Sequence, residues 1–485
     1  MADKTDFYRR LNIGTGASES AIKKAYRLAV KKAHPDVNKN EGATQLFLDI
    51  QEAYQVLSDP TQKDNYDADR TPGTGIPTIL TNIEYSQDAL LRLEEPQIIY
   101  ALIDILATKE DQNISELPLN LSLVIDNSTS MAGARLDMLK VALREIMQNL
   151  DETDKVSLIS FNDFANVLLP AQSQPKASQI ESSINNFYAE GGTEIFKGLD
   201  AGYEQITRFR TKDYINHIIL VTDGHTYGDE DSCISLAKKA AQEDIGISGM
   251  GIGVEWNDSF VDQLCALTGG HSQFVQDLKQ IKEFLTESID SLKQADTRRL
   301  TLDILPAPGV QVLSAFRILP EALPLPHQES YSLGILKKHK PHRVLIEFLI
   351  NPIPAKIDQA VIASGEFSLK RKGRDITIPL TLERSLVEES EELEPPTPEI
   401  IRAISHLTFY RLQEKAQHDL TNGNPKAAYQ RLMNLSSQLM AKGENGLAKI
   451  AMNEAQYIQS HNNFSPTGKK ELKYGTMNLM LPQKT

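Results

Sequence analysis

The chain has 485 residues, 40% of them hydrophobic and 24% charged, which is ordinary for a globular protein of roughly three domains. A net charge of −14 argues against a general binder of nucleic acid or anionic membrane. No run of about 20 apolar residues offers a transmembrane span, and the start Met1-Ala2-Asp3-Lys4 lacks an apolar signal core, so a cytoplasmic protein is expected. The two cysteines, Cys233 and Cys265, lie in helical patterns; they are too few for a zinc site and read as buried free thiols.

Residues 1–70 read as a small helical unit. A short helix at Asp6–Leu11 precedes one capped by Ser18, with Ile22, Tyr26, Ala29 and Ala33 at helical spacing. Its other face carries Lys23, Lys24, Arg27 and Lys31, and Pro35 in the loop His34-Pro35-Asp36 stops it. A third helix repeats the pattern with Leu46, Ile50, Ala53, Tyr54 and Leu57, and ends at Ser58-Asp59-Pro60. The His-Pro-Asp tripeptide between a basic and an amphipathic helix, with Ala25-Tyr26-Arg27, Ala53-Tyr54 and Tyr66-Asp67 around it, resembles the J-domain of DnaJ-type co-chaperones. The resemblance implies that His34, Pro35 and Asp36 stimulate ATP hydrolysis by a DnaK-type chaperone, on which Lys23, Lys24, Arg27 and Lys31 dock. Ala33 departs from the family, where many members have an aromatic. Neither a Gly/Phe-rich segment nor a Cys-rich region follows, so the unit is joined to something other than the full DnaJ layout. Residues 71–78, rich in Pro and Gly, are a linker.

Residues 79–116 read as two strands about a turn at Glu94-Glu95-Pro96, with Gln97–Ile105 the clearer one. Short alternating strands return over 295–386, which suggests a β-sandwich. The two stretches are expected to share one sandwich, with residues 117–294 inserted between its strands.

Within 117–294, strands and helices alternate, which implies a doubly wound sheet. The buried run Leu121–Ile125 ends in Asp126, Ser128 and Ser130, where an open α/β sheet binds ligands. Hard oxygen donors on a short turn suit Mg²⁺. Gly191-Gly192-Thr193 precedes a helix, and Ile218–Thr222 is a second buried run ending in Asp223-Gly224. Asp-x-Ser-x-Ser followed by these two loops resembles the metal-ion-dependent adhesion site of von Willebrand factor A (vWA) domains. The resemblance implies that Asp126, Ser128, Ser130, Thr193 and Asp223 hold one Mg²⁺ or Mn²⁺, and that a carboxylate from an unidentified partner protein completes the octahedron. Thr129 stands where the family has Gly and is expected to stiffen or crowd the loop. Asp126 is expected to be exposed. No Ser-His-Asp, Cys-His or Walker arrangement is present and His225 beyond Asp223 reads as a loop residue, so no enzyme is expected.

Residues 387–398, acidic and then Pro-rich, form a second linker. Residues 399–462 hold three amphipathic helices, breaking at Asn422–Pro425 and Gly443–Gly446, and residues 463–485 are a tail read as an extended docking segment. The expected fold is thus multidomain: an all-α J-domain, an α/β vWA domain inserted in an all-β sandwich, and an α-helical C-terminal region. The expected function is an adaptor co-chaperone that delivers a partner protein to a DnaK-type ATPase. The alternative is a vWA scaffold or regulatory subunit of a multi-protein NTPase assembly, of the MoxR-type AAA kind or a bacterial conflict system.

Overall fold

The computed structural model describes most of residues 7–11, 22–30 and 43–63, then 79–107, 117–226, 228–277, 279–295, 297–337, 340–353, 357–371, 374–388 and 393–481, with Ile13 and Ala17. In the N-terminal unit, α1 (Phe7–Leu11) and α2 (Ala43–Ser58) accompany helical backbone at the described positions of 22–30. Tyr8, Leu11, Ile22, Ile50, Ala53 and Leu57 close its core, and Tyr26 stacks on Tyr54 with ring centroids 4.0 Å apart. The apolar spacing of both sequence-predicted helices therefore meets on one seam. Lys23 and Arg27 are exposed on the helical stretch; Lys24, Lys31, His34, Pro35 and Asp36 lie outside the described residues.

The α/β domain is built on a six-stranded sheet of β4 (Leu119–Asp126), β5 (Lys155–Phe161), β6 (Ala165–Gln172), β7 (Ile215–Thr222), β8 (Ile245–Ile252) and β9 (Ser272–Val275), in the order β6-β5-β4-β7-β8-β9. All pairs are parallel except the β5–β6 hairpin. On one face Leu121, Leu123 and Ile125 pack with α3 (Ala134–Gln148), α4 (Ala177–Asn185) and α8 (Lys279–Lys293). On the other, Val124, Ile218 and Leu220 pack with α5 (Ile195–Thr207), α6 (Glu230–Gln242) and α7 (Asp258–Thr268), with Cys233 and Cys265 buried there as free thiols. Alternate residues of one buried strand thus serve two helical layers, which is why the strands are apolar throughout. Helix α5 lies close on the sheet: a Cβ on Gly198 would stand 2.5 Å from the Phe161 ring, and one on Gly202 2.6 Å from Val124.

Three strands, not two, precede this domain: β1 (Ile79–Tyr85), β2 (Ala89–Leu91) and β3 (Gln97–Ala107). After it come β10 (Arg299–Pro306), β11 (Val310–Leu319), β12 (Leu323–Leu325), β13 (Ser330–Gly334), β14 (His342–Ile350), β15 (Gln359–Arg371) and β16 (Arg374–Val387). They form two five-stranded sheets, β1-β3-β14-β11-β12 and β13-β10-β15-β16-β2. β2 is parallel to β16, pairing Ala89 with Ser385 and Leu91 with Val387. Strands from both sides of the α/β domain share sheets, so that domain is an insertion in the sandwich.

The C-terminal region has four helices: α9 (Pro398–Thr421), α10 (Pro425–Ala441), α11 (Asn445–His461) and α12 (Pro466–Asn478). α9 packs on the sandwich, with Tyr410 edge-on to Phe316 and Arg411 bound to Glu347 and to Ser314 Oγ (2.6 Å). Leu432, Leu435 and Leu439 of α10 meet Ala448, Ala451 and Ala455 of α11. α12 corrects the expectation of an extended tail. Ser465 caps it, Pro466 opens it, and Lys470, Lys473, Tyr474 and Met477 line a buried face at helical spacing. Two lysines on that face disguised its periodicity.

Candidate metal centre

Each predicted metal-loop residue sits at the carboxyl end of the six-stranded sheet, at the switch point where crossovers from β4 and β7 diverge. Asp126 ends β4, Thr193 lies just before α5, and Asp223 follows β7. A single 3₁₀ turn, Thr129–Met131, carries the polar loop around.

Hydrogen bonds interlock the three loops. Ser128 N–H donates to Asp126 Oδ1 at 2.8 Å, and Thr222 Oγ1 donates to Asp126 Oδ2 at 2.6 Å. The Ser128 and Ser130 hydroxyls are 3.0 Å apart, and Ser130 Oγ donates to Asp223 Oδ1 at 2.6 Å. Thr193 is buried beside the Asp223-Gly224 turn, where a Cβ on Gly224 would stand 3.0 Å from its hydroxyl. The structure therefore brings Asp126, Ser128, Ser130 and Asp223 into one bonded cluster, with Thr193 against its third loop.

Asp126 is fully buried, not exposed as the sequence suggested. Strand β4 carries the carboxylate inside the sheet's end before the turn begins. Burial pushes its carboxyl up to about 6, against the lowering effect of hydrogen bonds from Thr222 and Ser128. A buried anion of this kind is short of positive charge. Hard hydroxyl and carboxylate oxygens at the mouth of such a site fit a small hard divalent cation, with Ser128, Ser130 and Thr193 as neutral donors and Asp126 and Asp223 as the charged ones.

Sequence reasoning missed one charged neighbour of the cluster. Arg135, in the first turn of α3, places Nη1 on Asp223 Oδ2 and donates to Ser130 O at 3.2 Å. Its position, five residues past the last serine and in the first turn of the helix, was the available signal. Thr129 does not crowd the loop: its exposed hydroxyl donates to Gly191 O at 3.0 Å and its N–H donates to the same carbonyl at 3.2 Å, tying the first loop to the second. His225 is exposed and takes no part in the cluster.

Comparison with known proteins matches three family models: the DnaJ domain over residues 6–67, the von Willebrand factor type A domain over 120–287, and the Sll0103-like C-terminal alpha-helical domain over 398–482. The Synechocystis protein sll0103 is 25% identical over 394 residues, which is 78% of this chain and 91% of that protein. The chaperone protein DnaJ of Erysipelothrix rhusiopathiae is 54% identical over 67 residues, 14% of this chain and 18% of that protein, so this likeness covers the N-terminal unit alone. Among solved structures, a von Willebrand factor type A protein from Catenulispora acidiphila aligns with a TM-score of 0.67 at 13% identity, over 84% of this chain and 98% of that one. The chain therefore carries a DnaJ domain, a von Willebrand factor type A domain inserted in a β-sandwich, and a C-terminal α-helical domain of the Sll0103-like type.

Proposed function

We propose that the chain is a J-domain adaptor that acts by binding, in the cytoplasm, and not by catalysis. Its His34-Pro35-Asp36 loop stimulates a DnaK-type ATPase, with Lys23, Lys24, Arg27 and Lys31 docking on that chaperone. Its vWA loops capture a partner protein through a Mg²⁺- or Mn²⁺-dependent contact. The observation that carries the reading is the bonded cluster of Asp126, Ser128, Ser130 and Asp223 in a chain that also holds a DnaJ domain. Ser128, Ser130 and Thr193 would hold the ion through neutral oxygens, while Asp126 and Asp223 offset its charge. When bound, the ion supplies an electrophilic coordination position for a carboxylate of the partner. The chain's own work is to keep the hydroxyls convergent, which the ties from Thr129 to Gly191 O and from Thr222 to Asp126 achieve.

Ser130→Ala is the discriminating variant. Ser130 is exposed, so its loss leaves the core intact, whereas Asp126→Ala strips an acceptor from two buried donors. Calorimetric titration of the full chain with Mg²⁺ and Mn²⁺ should show saturable binding that Ser130→Ala weakens at least ~10-fold. Capture of partner proteins from a cell extract, read by mass spectrometry, should fall with chelator and with the variant together. Capture that survives both would move partner selection away from the metal loop.

A further inference from the structure

A second polar cavity lies at the other end of the vWA sheet, where the amino ends of β7 and β8 meet the start of β10, the β11–β12 turn and β13. Its volume is about 40 Å³, room for roughly three waters or one small tetrahedral oxyanion. Cations crowd one wall, facing Asp244, Asp303 and Asp375. Arg298 and Arg299, with side chains 4% and 16% exposed, both reach Asp244, at 3.4 and 3.5 Å, and Lys370 adds a third cation at 2.9 Å. Asp375 also approaches Arg298, at 3.8 Å, but from solvent. On the far wall Glu321 faces Lys337 at 3.8 Å, so that carboxylate is already matched. The buried Arg317 guanidinium nearby is used up on the carbonyls of Gly269, Gly270, Leu333 and Glu321. Burial pushes Arg299 and Arg317 down from their ordinary values, the cost of holding cations there.

Three wall atoms are buried without a hydrogen-bond partner: Nε of Arg298, Nε of Arg299, and Nδ1 of His342. The first two are donors. The third is an acceptor, because His342 Nε2 lies 3.1 Å from Leu333 O and must carry the ring proton to bond a carbonyl. The other histidines are accounted for, in the chain His217–Ser248–His271–Ser288 with contacts of 2.9, 3.2 and 3.1 Å. Buried polar atoms are rarely left unmatched. Two unpartnered N–H donors on buried guanidinium groups and one unpartnered acceptor ask for an anion that also carries a hydrogen: a protonated oxyanion. We propose that this cavity between the vWA domain and the sandwich binds inorganic hydrogen phosphate, held by Arg298 and Arg299 and distinguished by His342, which accepts from its P–OH. Sulfate has the same shape and charge but no proton to give, so the site should prefer phosphate.

The test is titration of the full chain with phosphate, sulfate and chloride at matched ionic strength, read by calorimetry and by thermal unfolding. Phosphate should bind saturably and raise the unfolding temperature, with sulfate at least ~10-fold weaker. Arg299→Gln should weaken phosphate by a similar factor. Asp244→Asn should do the opposite and tighten it, because it removes the carboxylate that competes for the same cations. Asn also suits the left-handed backbone at Asp244, where φ is 59°. A merely structural role for Asp244 predicts lower stability with no gain in phosphate affinity. Phosphate acting no differently from chloride would mean a water-filled joint and would overturn the proposal, as would sulfate binding equally well or Asp244→Asn weakening phosphate.

Discussion

At the scale of single residues, Arg135 is the group that would set how hungry the vWA loops are for the proposed cation. Its guanidinium already sits on Asp223, whose side chain is fully buried while that of Arg135 is 36% exposed. A cation entering the cluster meets a carboxylate that is partly neutralised and a like charge beside it, each of which lowers affinity. Arg135→Gln should therefore tighten Mg²⁺ binding by roughly 3- to 10-fold, a range that allows for solvent screening of the exposed side chain. Calorimetric titration of wild type and variant checks the sign; unchanged or weaker binding would make Arg135 a support for Asp223 and not a competitor. The clustering of Asp126, Ser128, Ser130 and Asp223 was legible because acids and hydroxyls ending an apolar run are chemically distinct, whereas Thr193 could be placed only through its Gly191-Gly192 context. Arg135 was not, because an arginine in the first turn of a helix looks like surface until its partner is known. The burial of Asp126 was equally hidden, since the pattern locates a strand's end only to within a residue or two.

At the scale of elements, α12 shows how a helix can be built around charge. Lys473 is 3% exposed and lies 2.6 Å from both Asp258 and Asp262 at the start of α7; Tyr474 OH donates to Asp262 at 2.9 Å. Lys470 donates to the Trp256 carbonyl and lies over the same residue's ring, 4.0 Å from its centroid. Burial alone would raise Asp258, yet Lys473, Lys469 and Lys470 together hold it well below the usual carboxylate range. Burial has the upper hand at Lys470, which is pushed down to about 8. The two lysines should thus respond differently. Lys473→Met leaves two carboxylates buried without their cation and should cost about 3–5 kcal/mol. Lys470→Met removes a charge that burial already disfavours and should cost under about 1 kcal/mol. Urea denaturation of the two variants measures the contrast, and equal losses would refute it. The helical tail escaped sequence reasoning for this reason: hydropathy scores Lys470 and Lys473 as solvent-facing, and only their acidic partners, some 210 residues away in the chain, make that face interior.

Across the whole molecule, the insertion was readable in the sequence because alternating strands appear on both sides of an unbroken α/β pattern. The parallel β2–β16 pairing that joins them was not, since a three-residue strand leaves no periodicity. Nor was the joint between the α/β domain and the sandwich, whose histidines lie far apart in sequence. Burial lowers His217 and His342 to about 3, and His271 in the same direction. Their folded values lie below the unfolded one, so the unfolded chain binds more protons as pH falls. Stability from His217 and His342 is complete above about pH 6.5 and is lost as pH drops from there toward 3, at about 1.4 kcal/mol per pH unit for each of the two, and His271 acts in the same direction. Urea midpoints should fall between pH 7 and 5.5, and His342→Gln should flatten the fall; a midpoint rising over that range would contradict the burial of these rings. The central claim, that a partner-binding vWA protein is coupled to chaperone ATPase through its DnaJ domain, meets its most direct test in steady-state ATP hydrolysis by a DnaK-type chaperone. The full chain should raise the rate several-fold and His34→Gln should return it to the unstimulated level with the fold intact. Equal stimulation by both chains, or none by either, would contradict it.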